Sequence, residues 1–199
     1  MLTIIGLGNP LPEYSKTRHN IGEHIISALV KSEGIDLSPK KLFMAEMGKG
    51  KIGAKSVMFV LPQTYMNDSG KTVKKLFPDS TAKIEHKDIL VIHDDLDLPL
   101  GVTKMVYESN SAGHKGVDSI NKALKSTKYY RLKIGVTPVD AEGNTRKPSA
   151  DKMQNFITGM FTDGEWTVLK KTTKKAIEIL EVFVLEGAAK ATEMANTRQ

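Results

Sequence analysis

The sequence predicts a three-layer α/β domain, in which helices cover both faces of a mixed, mostly parallel central sheet. Two observations predict this class. Short apolar runs typical of buried strands alternate along the chain with segments of helical periodicity. Hydrophobic residues make up 40% of the 199 residues, which is enough for a packed core at this length. We therefore expect residues 1–199 to form one domain, with its sites at the carboxyl ends of strands.

The N-terminal part begins with a strand followed by a helix. Leu2–Leu7 is an apolar run that ends at glycine and proline, which predicts a buried strand. Apolar residues at helical spacing predict a helix over about 21–33, and Gly34 is its stop signal. Two further strands are expected at 41–49 and 55–61, around a Gly-Lys-Gly-Lys turn.

The middle of the chain continues the alternation. After Pro62, apolar residues at helical spacing predict a helix that runs to Pro78. The apolar run Asp88–His93 predicts a central strand that ends abruptly at acidic residues. A further strand is expected at 102–107, and a helix near 114–126.

The C-terminal part combines one strand with a long helix. Arg131–Val136 predicts a strand, and the composition of 137–150 is that of a loop. A long helix is expected at about 163–186, with a lysine-rich outer face. The apolar residues expected on its inner face are Val168, Ile177, Ile179, Leu180 and Phe183.

Composition excludes several classes of protein. The chain has no cysteine, which excludes disulfides, thiolate metal sites and cysteine nucleophiles and favours a cytoplasmic location. The N-terminal sequence lacks the features of a signal peptide, and no stretch approaches the roughly 20 apolar residues of a membrane span. A net charge of +6 and a pI of about 9.3 favour a polyanionic partner such as nucleic acid. A solvated lysine-rich surface is the alternative.

A glycine-rich segment, Gly6–Pro10, follows the first predicted strand. The GxG pattern there suggests a dinucleotide-binding loop. Pro10 and Pro12, however, prevent a helix from starting at this point, and no acidic residue lies at the expected distance. We interpret the glycines as a tight turn that directs Asn9 into a cleft.

The segment Thr17–Asn20 stands directly before the first predicted helix. Asn20 is a candidate cap of that helix. His19 is then expected at the helix N-terminus, where the dipole disfavours the imidazolium and helps to keep a neutral base. An ordinary surface histidine is the alternative.

A second cluster of candidate residues, His93–Asp97, ends the central predicted strand. Its carboxylates and histidine suit a Mg²⁺ or Zn²⁺ site, or a single acid that orients an imidazole; a solvated loop is the third interpretation. The loop 109–116 is either a phosphate-binding segment or a mobile connector. The chain has neither a GxSxG motif nor a P-loop, so a serine hydrolase and an NTPase lack support.

The order of the motifs is more specific than any one of them. GLGNP-x₃-Y-x₂-TRHNIG is followed by PQTYMNDSG, HDDLDLPLG, GHKG and RLKIG. With these separations the chain resembles the bacterial peptidyl-tRNA hydrolase family, from Leu2 to about Ala195. The resemblance implies a monomeric α/β enzyme that needs no metal or other cofactor. Such an enzyme cleaves the ester between a peptide and the 3′-terminal ribose of tRNA, and so recycles tRNA from stalled or aborted translation.

The resemblance also implies roles for individual residues. The catalytic base falls on His19, and its partner carboxylate on Asp94. The residues expected to hold the substrate or line its cleft are Asn9, Tyr14, Met66, Asn67, His114 and Lys115. The residues near the family's tRNA phosphate contacts are Lys104, Arg131 and Lys133. The lysines at 170, 171, 174 and 175 either extend that surface or form a solvated helix face.

The chemistry of the candidate residues agrees with this implied reaction. His19 is expected to act as a general base on water, while Asp94 holds its tautomer and stabilises the imidazolium. The amides of Asn9 and Asn67 suit the peptide side, because peptides of varying sequence are recognised through backbone groups. Contacts with tRNA phosphates are expected to be sensitive to salt.

Lys115 is the most important departure from the family, which has an asparagine at this position. A lysine donates hydrogen bonds to an oxyanion or a phosphate but accepts none. In addition, Leu11 replaces a glycine, Leu61 replaces a lysine, and 108–112 replaces a glycine-rich loop. Two alternatives therefore stand beside the hydrolase: an RNA-binding relative with weak or no hydrolysis, and a metal-dependent phosphohydrolase based on Asp94–Asp97.

Overall fold

The computed structural model describes residues 1–79, 86–140 and 142–197. The strands in these residues are Leu2–Gly6 (β1), Ser38–Lys40 (β2), Ala45–Ile52 (β3), Lys55–Pro62 (β4), His86–Pro99 (β5), Thr103–Tyr107 (β6) and Tyr129–Thr137 (β7). The α-helices are Ile21–Ser32 (α1), Ser69–Leu76 (α2), Lys115–Leu124 (α3), Ala150–Ile157 (α4), Asp163–Leu185 (α5) and Ala188–Asn196 (α6).

All seven strands form one sheet in the order β2-β3-β4-β1-β5-β7-β6. The four central strands β4, β1, β5 and β7 are parallel, while β2, β3 and β6 pair antiparallel at the edges. Helices α1, α5 and α6 bury their apolar residues against one face, and α2 and α3 bury theirs against the other. This arrangement confirms the predicted three-layer fold with a mixed, mostly parallel sheet.

The long helix α5 lies close to its predicted bounds. A capping box starts it, in which the Thr162 hydroxyl accepts from the backbone N–H of Glu165 while the Glu165 carboxylate accepts from the N–H of Thr162. The prediction that Val168 faces inward is wrong, because Val168 is 40% exposed and its neighbour Leu169 faces the core instead. None of the helices in the described residues is long and apolar enough to cross a membrane.

Two predicted strands differ in position from the observed ones. Residues 41–43 form a 3-10 turn, and the Gly-Lys-Gly-Lys segment lies inside β3 rather than in the hairpin turn. The turn follows at Gly53, whose φ of +58° is readily adopted by glycine. Strand β5 runs to Pro99, six residues beyond its predicted end, because its carboxylates find cationic partners on neighbouring segments.

The remaining boundaries were largely predictable, but two short helices were not. The region after β7 is irregular as expected up to residue 149, although residue 141 lies outside the described part of the chain. Helices α4 and α6 have only eight and nine residues, which is too short for a periodic pattern to identify them in the sequence. α4 is nevertheless important, because it forms one wall of the cavity described below.

Close contact between α1 and the sheet positions the candidate site. A Cβ atom added to Gly22 would lie 2.2 Å from the carbonyl oxygen of Ile92 in β5. Only a glycine allows the first turn of α1 to approach the strand so closely. The residues just before α1 are thereby brought beside those that follow Ile92.

Candidate active site

His19 and Asp94 meet where α1 approaches β5. His19 lies in a 3-10 turn, Arg18–Asn20, that leads directly into α1. Asp94 follows the buried segment of β5, and both side chains are almost inaccessible, with relative exposures of 4% and 3%. His19 Nδ1 lies 2.8 Å from Asp94 Oδ1. The structure therefore forms the histidine–aspartate pair that the sequence suggested.

Arg18 anchors the turn that carries His19. Its Nη2 donates to both carboxylate oxygens of Glu165, at 2.7 and 2.9 Å, and its Nη1 donates to the carbonyl oxygen of Met160 at 2.9 Å. Phe156 and Phe161 stack against the same guanidinium. A buried charge-assisted contact of this kind is strong, so the start of α5 holds the turn that carries His19 in place.

His114 adds a second histidine to the same carboxylate. Its Nε2 lies 2.9 Å from Asp94 Oδ1, and its ring centroid is 4.8 Å from that of His19. On the other side of the ring, Nδ1 accepts from the backbone N–H groups of Gly116 and Val117 and so caps α3. The loop histidine is thus fixed between the carboxylate and the helix start.

These contacts define the tautomers of both histidines. Since Nδ1 of His114 accepts two backbone N–H groups, its proton is on Nε2 and is donated to Asp94. The carboxylate also accepts from Nδ1 of His19, which leaves the lone pair of His19 on Nε2. His19 therefore presents an unprotonated ring nitrogen that can accept a proton.

The Asp94 carboxylate is strongly held in its ionised form. Burial by itself would raise its pKa, but the two neighbouring histidines lower it more through charge and hydrogen bonds. The pKa of Asp94 consequently lies well below its ordinary value. A buried carboxylate that stays charged is suited to stabilising an imidazolium beside it.

The same residues could be considered as metal ligands. Ligand atoms of His19, Asp94 and His114 all lie within 4.8 Å of one another. The tautomer of His114 argues against this use, because its Nε2 carries a proton and has no lone pair for a metal. The other predicted acidic cluster is also divided, since Asp95 pairs with Lys133 at 2.6 Å and Asp97 pairs with Lys147.

Asn20 does not cap α1 as predicted, and its side chain holds Asn9 instead. The Asn20 Oδ1 accepts from the backbone N–H of Asn9, and its Nδ2 donates to the carbonyl oxygen of the same residue, both at 2.9 Å. Asn9 Oδ1 in turn accepts from the backbone N–H of Met66 at 2.9 Å. With the oxygen engaged, the amide nitrogen of Asn9 is the group left for a ligand.

The remaining candidate substrate residues lie beside this network. A Cβ atom added to Gly116 would lie 2.4 Å from Met66 Sδ, which places buried Met66 against the start of α3. Asn67 follows Met66 in a 3-10 turn and is exposed. Tyr14 is partly buried, and its carbonyl oxygen accepts from both the N–H and the hydroxyl of Thr17.

A cavity of about 260 Å³ opens beside the paired histidines. Its polar lining includes His19, Asp94 and His114, and its far wall is formed by Met153, Gln154 and other residues of α4. Asn9, Tyr14, Met66 and Asn67 do not line this cavity. Asn9 is bonded to Asn20 and Met66 lies against Gly116, and these two partners directly follow the cavity-lining residues His19 and Lys115 in the chain.

The three candidate phosphate contacts have different environments. Lys104 is exposed and stands opposite Lys133 across the β6–β7 pair, where Lys133 binds Asp95. Arg131 is fully buried and donates to the carbonyl oxygen of Asn110. In this conformation Arg131 offers no surface to a phosphate, and its role as a tRNA contact stays a prediction. Its position instead supports the loop before α3.

The buried side chain of His93 should make the stability of the protein depend on pH. Its Nδ1–H donates to the carbonyl oxygen of Asp94, and burial, aided by His114 and Arg131, lowers its pKa well below the ordinary value. The unfolded chain therefore takes up this proton first as the pH falls. We expect the free energy of unfolding to decrease below about pH 6.5, by up to about 1.4 kcal/mol per pH unit for this one group.

Urea denaturation between pH 7 and 5 tests this expectation in the wild type and in His93→Asn. Burial also lowers the pKa values of His24 and His86, so the wild-type slope includes their contributions. The difference between the two proteins isolates His93. The variant should have the shallower slope, and equal slopes would contradict the assignment of a neutral buried His93.

Sequence reasoning missed some residues of the site. Gln154 and Lys147 both line the cavity, but they belong to a short helix and a loop that carry no motif. Asn20 was predicted to cap α1, because an asparagine directly before a helix commonly caps it. Its reciprocal bonding to Asn9 depends on two loops meeting, which local sequence does not reveal.

Comparisons with known proteins all indicate one family. A family model described as peptidyl-tRNA hydrolase matches residues 3–199. The peptidyl-tRNA hydrolase of Carboxydothermus hydrogenoformans is 37% identical over 191 residues, which is 96% of each chain. The chloroplastic peptidyl-tRNA hydrolase of Arabidopsis thaliana is 37% identical over 98% of this chain, which spans 65% of that relative.

The structural comparison gives the same result. A crystal structure of peptidyl-tRNA hydrolase from Acinetobacter baumannii superimposes with a TM-score of 0.86 at 28% sequence identity. The match covers 100% of this chain and 96% of that one. A full-length family match, relatives above 30% identity and a common fold lead to one conclusion: the chain belongs to the peptidyl-tRNA hydrolase family.

Proposed function

We propose that this protein is a peptidyl-tRNA hydrolase that cleaves the ester between a peptide and the 3′ ribose of tRNA. The observation that carries the proposal is the hydrogen-bonded pair His19–Asp94 beside an open cavity. An ester with a ribose leaving group needs an activated water but no covalent intermediate. A neutral imidazole oriented by a carboxylate is suited to that activation.

The proposed reaction begins with a water molecule at His19 Nε2. As the water oxygen attacks the ester carbonyl, its proton passes to Nε2, and the charge of Asp94 stabilises the resulting imidazolium. When the bond to the ribose oxygen breaks, the imidazolium returns the proton to that oxygen. Such general acid–base catalysis is typically worth about 10²–10⁴ in rate.

The asparagines would bind the peptide side of the substrate. Because Asn9 Oδ1 is engaged by the backbone of Met66, its Nδ2 is available to donate to a peptide carbonyl or to the developing oxyanion. Exposed Asn67 follows in the same segment and can contact the peptide backbone. Amides suit this role because they recognise groups common to all peptides.

The tRNA side would rely on positive charge. Exposed Lys104 is the proposed phosphate contact, and Lys133 lies beside it although it is partly neutralised by Asp95. Lysines 170, 171, 174 and 175 of α5 could extend this surface. A cytoplasmic location and action as a monomer belong to the same proposal, in keeping with the recycling of tRNA.

The test is release of labelled peptide from peptidyl-tRNA in the presence of EDTA. We expect turnover to continue, because none of the proposed steps uses a metal. Binding of peptidyl-tRNA without release would contradict the proposal and favour the RNA-binding alternative. Loss of release with EDTA and its recovery with added Mg²⁺ or Zn²⁺ would favour the metal-dependent alternative.

A further inference from the structure

Almost all the charged groups that line the cavity are bonded to another ionisable side chain. Asp94 accepts from two histidines, Asp95 pairs with Lys133, and Asp97 pairs with Lys147. Lys115 is different, because the partner of its ammonium group is the neutral side chain of Gln154. Among the cavity-lining groups in the described residues, Lys115 therefore carries a positive charge whose hydrogen-bond partner is not a carboxylate.

Lys115 is also held in the lining of the cavity. It begins α3 directly after His114, whose ring contacts Asp94 and lies against His19. Its side chain crosses to α4, where Nζ donates to Gln154 Oε1 at 3.0 Å. Both residues line the cavity, and both are exposed. The ammonium group is thus positioned beside the reacting centre and accessible to an incoming ligand.

Two backbone N–H groups at the start of α3 are already engaged. The N–H groups of Gly116 and Val117 already donate to Nδ1 of His114. A negatively charged ligand entering this part of the cavity would therefore meet the side chain of Lys115. A lysine ammonium is a point charge that suits a phosphate oxygen without demanding a fixed orientation.

We propose that Lys115 is a specificity-determining residue that binds the 5′-phosphate of the terminal nucleotide of the substrate. This inference rests on the proposed function. The ester to be cleaved and this phosphate belong to the same nucleotide, so a cation one residue from His114 is suitably placed for it. In the free protein Lys115 Nζ donates to Gln154, and in the complex the phosphate replaces Gln154 as its acceptor. The exchange is favourable because a charged oxygen is a stronger acceptor than a neutral amide oxygen.

Two small esters separate this contact from the chemistry. The first is an N-acetylaminoacyl ester on the 3′-oxygen of adenosine, and the second is the same ester carrying a 5′-phosphate. At low salt we expect the wild type to have a kcat/KM about 5- to 10-fold higher for the phosphorylated ester, as for an exposed charge-assisted hydrogen bond. In Lys115→Met this ratio should fall to about one.

Matched variants identify the cause of the preference. Lys115→Arg keeps the charge and should retain most of the preference. Lys152→Met removes an exposed lysine of α4 that does not line the cavity, so the ratio should stay at its wild-type value. Added salt should reduce the wild-type preference, because the contact is electrostatic. An unchanged ratio in Lys115→Met, or no preference in the wild type, would overturn the proposal.

A binding measurement keeps the proposal independent of turnover. Adenosine 5′-monophosphate should bind the wild type about 5- to 10-fold more tightly than adenosine, and Lys115→Met should bind both equally. If peptidyl-tRNA is not hydrolysed but this preference is present, the proposed function fails while the phosphate contact stands. If the esters are hydrolysed and the preference is absent, only the contact fails.

Discussion

Replacing His19 by alanine is expected to lower kcat for release of peptide by about 10²–10⁴, with a much smaller change in KM. In the proposed reaction, Nε2 of His19 is the group that takes the proton from water. Asn9, Met66 and Lys115 remain in place in this variant, so binding of the substrate should largely persist. The loss is therefore expected in the chemical step.

Single-turnover release of labelled peptide measures this step directly. Because the substitution enlarges a cavity that is already open, added imidazole should restore part of the rate. His24→Ala is the matched control, since His24 lies in α1 and packs on Trp166 away from the cavity. A His19→Ala variant with wild-type kcat would remove His19 from its proposed role.

Much of the fold could be predicted because its strands are short, apolar and separated by periodic helices. The length of β5 could not, since acidic residues normally mark the end of a buried strand. Here Asp95 and Asp97 continue the strand because Lys133 and Lys147 come from distant segments to pair with them. Tertiary ion pairs of this kind leave no local signal in the sequence.

The candidate site, too, was only partly predictable from the sequence. The motif order identified His19 and Asp94, and the structure brings them together across 75 positions of sequence. The tautomer of His114 could not be predicted, since it depends on two backbone N–H groups at the start of α3. Arg131 was placed near the tRNA phosphates by the family resemblance, whereas here its side chain is buried and donates to the carbonyl oxygen of Asn110.

Replacing Asp94 by asparagine is expected to lower kcat about 10³-fold. One oxygen of Asp94 accepts from both His19 and His114, and an amide oxygen could take over both hydrogen bonds. What the variant loses is the negative charge. At about 4 Å and an effective dielectric constant near 20, that charge stabilises an imidazolium by about 4 kcal/mol, equivalent to roughly 10³ in rate.

Three variants separate the effect of the Asp94 charge from its effect on the orientation of His19: Asp94→Asn, Asp94→Ala and Asp97→Asn. Asp94→Ala removes both hydrogen bonds as well as the charge, so its kcat should be lower than that of Asp94→Asn. Asp97→Asn removes a carboxylate that lines the same cavity but pairs with Lys147, so its kcat should change less than about threefold. Peptide release at saturating substrate measures all three.

If Asp94→Asn kept wild-type turnover, the charge would have no part in catalysis. If Asp97→Asn lowered kcat as much as Asp94→Asn, the effect would come from the total negative charge at the end of β5. It would not come from the carboxylate that contacts His19.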